Sequence, residues 1–122
     1  MFQSELLFAS GSADLGDAGK AQLADLAKTL LDVTKQIPSD INWVLRIDGH
    51  TDKNPINTIL FPSNWELSTA RALSVVKFLI AQALPAEHLA AAGFGEFQPI
   101  DKGNSPEALA KNRRIEIRLD QR

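Results

Sequence analysis

The chain has no cysteine among its 122 residues. That removes disulfides, thiolate nucleophiles and cysteine metal sites together, and it leaves the compartment open, since a cysteine-free chain survives in either redox environment. Long apolar runs are also missing. Nothing approaches the ~18 residues that would cross a bilayer, and the first residues carry neither the basic segment nor the apolar stretch of a signal peptide. As written, the chain is expected neither to export nor to anchor itself, and from Phe2 onward it reads like part of a folded unit cut from a longer protein. Charge of one sign is scarce: 13 basic against 15 acidic residues leave a formal charge of minus 2. That argues against a nucleic-acid partner held by phosphate neutralisation. No Gly-x-Ser-x-Gly elbow is present to activate Ser10, Ser12, Ser63 or Ser68. The chain has two histidines, His50 and His88. His50-Thr51-Asp52 therefore offers two metal ligands, short of the three that a protein-built catalytic zinc site takes. No metal, cofactor or enzymatic activity is expected.

What is present is one domain. An apolar fraction of 44% and a charged fraction of 23% are ordinary for a globular chain, and a chain of this length buries ~65% of its unfolded surface. Residues 5–9 are a short apolar run ending in Ser10-Gly11-Ser12, read as strand one. Asp17 can cap a helix over residues 17–34, with Leu23, Leu26, Ala27, Leu30 and Val33 on one face, before Pro38 breaks it. Residues 41–49 alternate: Trp43, Leu45, Ile47 and Gly49 share a buried face, and Val44, Arg46, Asp48 and His50 a wet one. Residues 53–61 read as a loop whose apolar members, Ile56, Ile59, Leu60 and Phe61, fold back over something.

Ser63 and Glu66 form a capping box that starts a second helix at Asn64, running to about Ala83 with Ala72, Val75, Val76, Leu79, Ile80 and Ala83 on its apolar face. Residues 89–94 form a small-residue strand. Ser105 and Pro106 open a short helix ending near Lys111. The last strand, residues 113–119, alternates Ile115, Ile117 and Leu119 with Arg114, Glu116 and Arg118. The order is βαβαβ, short helix, β, with neither internal repeat nor low-complexity segment. Should strands two and four be neighbours, Arg46 and Asp48 pair across with Glu116, Arg114 or Arg118, each pair stabilising by ~0.2 to 1 kcal/mol.

Candidate chemistry concentrates in residues 47–71. Asp52 ends the turn after strand two, and Asn64, Leu67, Ser68 and Arg71 follow one stripe of the second helix, its ends about 10 Å apart. Asp52 and Arg71 then face one crevice, either as binding groups or as a structural salt bridge. His50 is expected to donate a hydrogen bond that holds the turn. Asn112-Arg113-Arg114 is read as a sheet-face segment. Trp43 is expected in the core and Trp65 beside the helix start, although either ring can stack on a sugar.

These residues carry a resemblance. Ile47-Asp48-Gly49-His50-Thr51-Asp52, then Asn64 to Ala72, then Gly93-Phe94-Gly95-Glu96-Phe97-Gln98-Pro99, and last Asn112 to Ile117 together resemble the OmpA-like peptidoglycan-binding domain. Ser63-Asn64-Trp65-Glu66-Leu67-Ser68 and Pro55 are most similar to its MotB-type branch. The resemblance implies an α+β fold, a two-layer sandwich with a mixed four-stranded sheet and helices packed on one face. It implies a non-catalytic periplasmic domain, residues 1–122, belonging to a membrane-tethered protein of a Gram-negative envelope. It further implies that Asp52 and Arg71 bind the zwitterionic end of diaminopimelate in the peptidoglycan stem peptide, supported by His50, Thr51, Asn64, Leu67 and Phe8. The alternative is an interaction or homodimerisation module with the same fold, in which the Asp52–Arg71 pair is purely structural. Three departures stand out: a longer loop between Asp52 and Asn64, Ala9 after Phe8 where relatives carry an acid, and Leu109 where an arginine is common.

Overall fold

In the computed structural model, which describes residues 1–121, four strands form one mixed sheet in the order β1-β4-β2-β3. The strands are β1 (Phe2–Gln3), β2 (Trp43–His50), β3 (Leu89–Gly93) and β4 (Arg114–Gln121), and the helices are α1 (Ser4–Leu7), α2 (Asp17–Lys35), α3 (Asn64–Ala81) and α4 (Pro106–Asn112). A 3₁₀ turn, Ala86–His88, precedes β3. β2 runs parallel to β3 and antiparallel to β4, so the expected α+β sandwich with a mixed four-stranded sheet is the observed architecture. Leu45 and Ile47 of β2 and Ile115 of β4 meet Leu23 and Ala27 of α2 and Ala72, Val75 and Leu79 of α3 in a single core.

The start of the chain departs from expectation. Residues 4–7 form one helical turn, closed by the Phe8 N–H donating to the Ser4 carbonyl at 2.8 Å, and the sheet edge is Phe2–Gln3 instead. The adjacent residues Leu7 and Phe8 are both buried, while Glu5 and Leu6 are exposed. A strand would send neighbours to opposite faces; the helical turn lets Ser4 and Leu7 face inward together. In α2, Gly16 occupies the cap position and Asp17 is the first helical residue, where its charge still favours the positive end of the helix. Val33 and Ile80, assigned to apolar helix faces, are exposed near the ends of α2 and α3.

α3 lies against the sheet closely enough to require two glycines. Gly49 of β2 and Gly93 of β3 are paired neighbours. A Cβ on Gly49 would lie 2.2 Å from the Ser68 carbonyl oxygen, and one on Gly93 would lie 2.0 Å from Thr69 Oγ1. The helix start is thereby pressed onto the ends of the two strands, where β2 gives way to the loop carrying Asp52.

The other sheet face is less wet than its polar residues suggest. Asp48 is 1% exposed. Register sets Arg46 opposite Arg118 and Asp48 opposite Glu116, so attraction runs along and diagonally across the strands. Arg46 Nε meets Asp48 Oδ1 at 2.7 Å, and Arg118 Nε approaches Asp48 Oδ2 at 3.4 Å. Glu116 accepts from Arg114 Nε at 2.6 Å and Arg118 Nη2 at 3.0 Å. Of the cross-strand pairs expected for Arg46 and Asp48, the one between Asp48 and Arg118 forms.

Candidate ligand-binding site

Where β2 ends, the chain turns out of the sheet and back into α3, and its backbone is held at both sides. The Thr51 N–H donates to the Gly95 carbonyl at 2.9 Å, and the Phe94 N–H to the Gly49 carbonyl at 3.0 Å. Ser63 caps α3, its hydroxyl accepting from the Trp65 N–H at 3.2 Å and donating to Glu66 Oε1 at 2.6 Å. Asn64, the first helical residue and buried, uses its amide nitrogen as a peg: its two N–H groups are shared among the Asn54 carbonyl at 3.0 Å, Glu96 Oε1 at 3.3 Å and the Asp52 carbonyl at 3.4 Å. The long loop is thus pinned at residues 52 and 54 to the helix start.

This arrangement opens a cleft of about 520 Å³ between the loop, α3 and the N-terminal segment. Phe8, Thr51, Asp52, Asn64, Leu67 and Arg71 all line it. His50 does not. Its side chain belongs to the opposite sheet face, stacked on Phe94 with ring centroids 4.9 Å apart, its Nε2 3.8 Å from Glu116. Its Nδ1 is buried without a hydrogen-bond partner, so it does not hold the turn as expected; side chains alternate along a strand, and His50 falls on the Asp48 side. Within the loop, Ile56 and Phe61 turn inward, whereas Ile59 and Leu60 project into solvent from a turn closed by the Thr58 N–H to the Phe61 carbonyl at 2.9 Å.

Asp52 and Arg71 do not form a salt bridge with one another, contrary to the structural-pair reading. Asp52 Oδ1 accepts from the Asn54 N–H at 3.0 Å and Oδ2 from Arg113 Nη1 at 2.5 Å. Arg71 donates from Nε to the Ser12 carbonyl at 2.8 Å and from Nη2 to the Ala9 carbonyl at 3.2 Å. Its guanidinium lies over the Phe8 ring, 5.1 Å from the centroid. Burial lowers its pKa from the ordinary arginine value, Glu5 and Asp52 pull it upward and Arg113 downward. The group stays cationic at neutral pH.

Arg113 is the residue that sequence reasoning misplaced. It does not share the sheet face with Arg114 but turns into the cleft, bonded to both Asp52 and Glu5. Burial works against its charge, and the hydrogen bonds it donates to Asp52 and Glu5 outweigh that, holding the guanidinium above its ordinary value. A signal existed: in the alternation of the last strand, position 113 has the parity of Ile115 and Ile117, which face the helices. Glu5 is hidden for a different reason: the apolar run 5–9 fits a strand, whereas residues 4–7 form a helical turn. The cleft thus holds two cations, Arg71 and Arg113, and two anions, Asp52 and Glu5. No group of three or more metal-ligating side chains occurs among the described residues.

A two-layer α+β sandwich with a charge-balanced cleft at the β2–α3 junction belongs to a recognisable class. The model of the OmpA family matches residues 7–113, and the chain belongs to that family. Among solved structures, a MotB-like protein from Desulfovibrio vulgaris superposes with a TM-score of 0.86 at 29% identity, covering 98% of this chain and 70% of that one. The cell wall anchor of the T6SS from Pseudomonas aeruginosa gives a TM-score of 0.83 at 34% identity, covering 98% and 77%. Peptidoglycan-binding protein ArfA of Mycobacterium tuberculosis is 39% identical over 71 residues, which is 58% of this chain and 21% of ArfA. The chain spans less than half the length of the curated relatives it matches.

Proposed function

We propose that this domain is a non-catalytic module that binds peptidoglycan and anchors a longer cell-envelope protein to the wall, on the periplasmic side of a membrane to which that protein is tethered. The ligand is the zwitterionic end of the diaminopimelate residue in the stem peptide. The observation that carries this reading is the presence of Asp52 and Arg71 on one cleft, each fixed by other groups and neither neutralising the other. A carboxylate offers about four acceptor sites; the Asn54 N–H and Arg113 occupy two at Asp52, and the rest can take a ligand ammonium. Arg71 commits two donors to backbone carbonyls out of the five that a guanidinium has. The remaining Nη1–Nη2 end can grip a carboxylate with a two-pronged fork, one N–H from each nitrogen. Each such contact contributes about 1.5 to 3 kcal/mol. Relatives described as a peptidoglycan-binding protein and as a cell wall anchor support the same polymer.

The test is co-sedimentation with purified sacculi. Asp52→Ala and Arg71→Ala should each lower the bound fraction, and Arg71→Lys should behave nearly like Arg71→Ala because it keeps the charge and loses the fork. Normal folding with equal binding by all variants would overturn the assignment. The rival reading is an interaction or dimerisation module in which Asp52 and Arg71 serve only structure, here through the Asn54 N–H, Arg113 and the Ser12 and Ala9 carbonyls; a diaminopimelate tripeptide at millimolar concentration that shifts no resonance near Asp52 would favour it. Hydrolysis has little support: Ser10 lines the cleft but no histidine does, and release of soluble muropeptides would be its signature.

A further inference from the structure

Beside the cleft, two large aromatic side chains stand in solvent: Trp65 is 50% exposed and Phe97 58%. Their rings stack with centroids 5.0 Å apart and planes 25° apart. Backbone bonds fix this pair in place. The Gly95 N–H donates to Ser68 Oγ at 3.0 Å, the Gly95 carbonyl accepts from Thr51, and the Phe97 N–H reaches the Phe94 carbonyl at 3.4 Å. Gly95 has a φ of +60° and lies against both rings: a Cβ there would be 3.5 Å from Trp65 Cδ2 and 3.5 Å from Phe97 Cδ2. The segment carrying Phe97 is therefore tied to the same Thr51 that lines the cleft. Glu96, half-buried, meets Asn64 Nδ2, the nitrogen that also contacts the Asp52 carbonyl. One amide group joins the wall of the cleft to the edge of the aromatic pair.

Fixed, half-exposed aromatic surface flanked by the Glu96 carboxylate matches the chemistry of a sugar. Its C–H face covers aromatic surface, and its hydroxyl or acetamido N–H groups meet a fixed acceptor. We propose that Trp65 and Phe97, with Glu96 at their edge, form a subsite for an N-acetylhexosamine ring of the glycan strand that bears the stem peptide. This inference rests on the peptidoglycan reading of the cleft and adds a second contact to it. The two sites are adjacent, and a stem peptide extended over three residues spans roughly 10 Å, so one muropeptide fragment can occupy both. A peptide ligand alone leaves the platform bare, whereas a disaccharide-peptide covers it.

Three probes separate the contributions: a diaminopimelate tripeptide, the same tripeptide joined to its disaccharide, and tri-N-acetylchitotriose, which has the sugars and no peptide. The disaccharide-tripeptide should bind the wild-type domain about 5- to 10-fold more tightly than the tripeptide, the size of one well-placed aromatic contact. Trp65→Ala and Phe97→Ala should erase that difference and leave affinity for the tripeptide unchanged. Chitotriose at millimolar concentration should shift the Trp65 indole and Gly95 amide resonances, in the wild type and in Asp52→Ala alike. Shifts that persist while the tripeptide fails to bind would support the subsite and sink the stem-peptide reading, so the two failures are distinguishable. Equal affinity of the wild type for both peptide ligands would overturn the proposal, as would a Trp65→Ala loss as large for the bare tripeptide as for the disaccharide form. Phe97 is a loop residue more than half exposed, so Phe97→Ala serves as the test if Trp65→Ala disturbs the start of α3.

Discussion

His50 and Asp52 are two residues apart, yet they serve different faces of the molecule. Asp52 has left the strand and lines the cleft, while His50 still belongs to β2 and is buried against Phe94 on the charged sheet face. Burial, then the positive charge of Arg114, hold the His50 imidazole below its ordinary 6.5, against the pull of Glu116 and Asp48 and with Arg118 lowering it further. The unfolded chain therefore takes up this proton first, at about pH 6.5. The stability associated with neutral His50 is complete above that value and is lost as pH falls from it toward the folded pKa. Urea midpoints should be lower at about pH 5.5 than at about pH 7.5, and His50→Phe, which preserves the stack, should flatten that interval. Glu116 adds a loss at lower pH. Burial pushes its pKa up, but hydrogen bonds from Arg114 and Arg118 outweigh this and hold it below 4.5. Its contribution is full above about 4.5 and declines as pH falls toward the folded value. The sequence displayed the His50-x-Asp52 spacing but not the point at which the strand ends, and that point decides which face each side chain serves.

The helix α3 is the element on which the site depends, and both of its ends carry testable features. At its C-terminus the Leu84 N–H donates to the Leu79 carbonyl and the Ala83 N–H to the Ile80 carbonyl, with Leu79 and Leu84 both buried. This is the Schellman arrangement, with Ala83 in the left-handed position at φ 78° where glycine is preferred. Ala83→Gly should raise stability by about 0.5 to 1 kcal/mol, as relief of the Cβ clash exceeds the entropy added to the unfolded chain; urea denaturation measures it. Near the N-terminal end the close approach at Gly49 works the other way. Gly49→Ala would force α3 off the sheet at Ser68, at a cost of about 3 kcal/mol, the upper end for overpacking. It should also weaken sacculus binding, because Arg71 moves with the helix. Long periodic segments such as α2 and α3 were legible because their apolar spacing repeats over several turns. The four-residue α1 was not, since an apolar run that short fits a strand equally well until its neighbours fix which side chains must be buried together.

For the whole molecule, the sheet separates two environments: a cleft at the β2–α3 junction on one side and a network of arginines and carboxylates on the other. Under the proposed function single-site affinity is expected to be modest, because a wall polymer with many stems rewards multivalency. Two copies joined by a flexible linker should be retained on sacculi about 10²- to 10⁴-fold more strongly than one copy, while their affinity per site for a soluble tripeptide stays the same. Co-sedimentation and titration calorimetry check the two halves of that statement. The alternating pattern of β2 and β4, the capping residues of α3 and α4, and the segments that carry the family resemblance were determined by the sequence alone, because each is a local property of residue type and spacing. The partners of the charges were decided by tertiary structure. Asp52 bonds Arg113 across 61 positions and Arg71 reaches the Ser12 carbonyl across 59, and such pairings exist only once β4 and the N-terminal segment pack beside the β2–α3 junction.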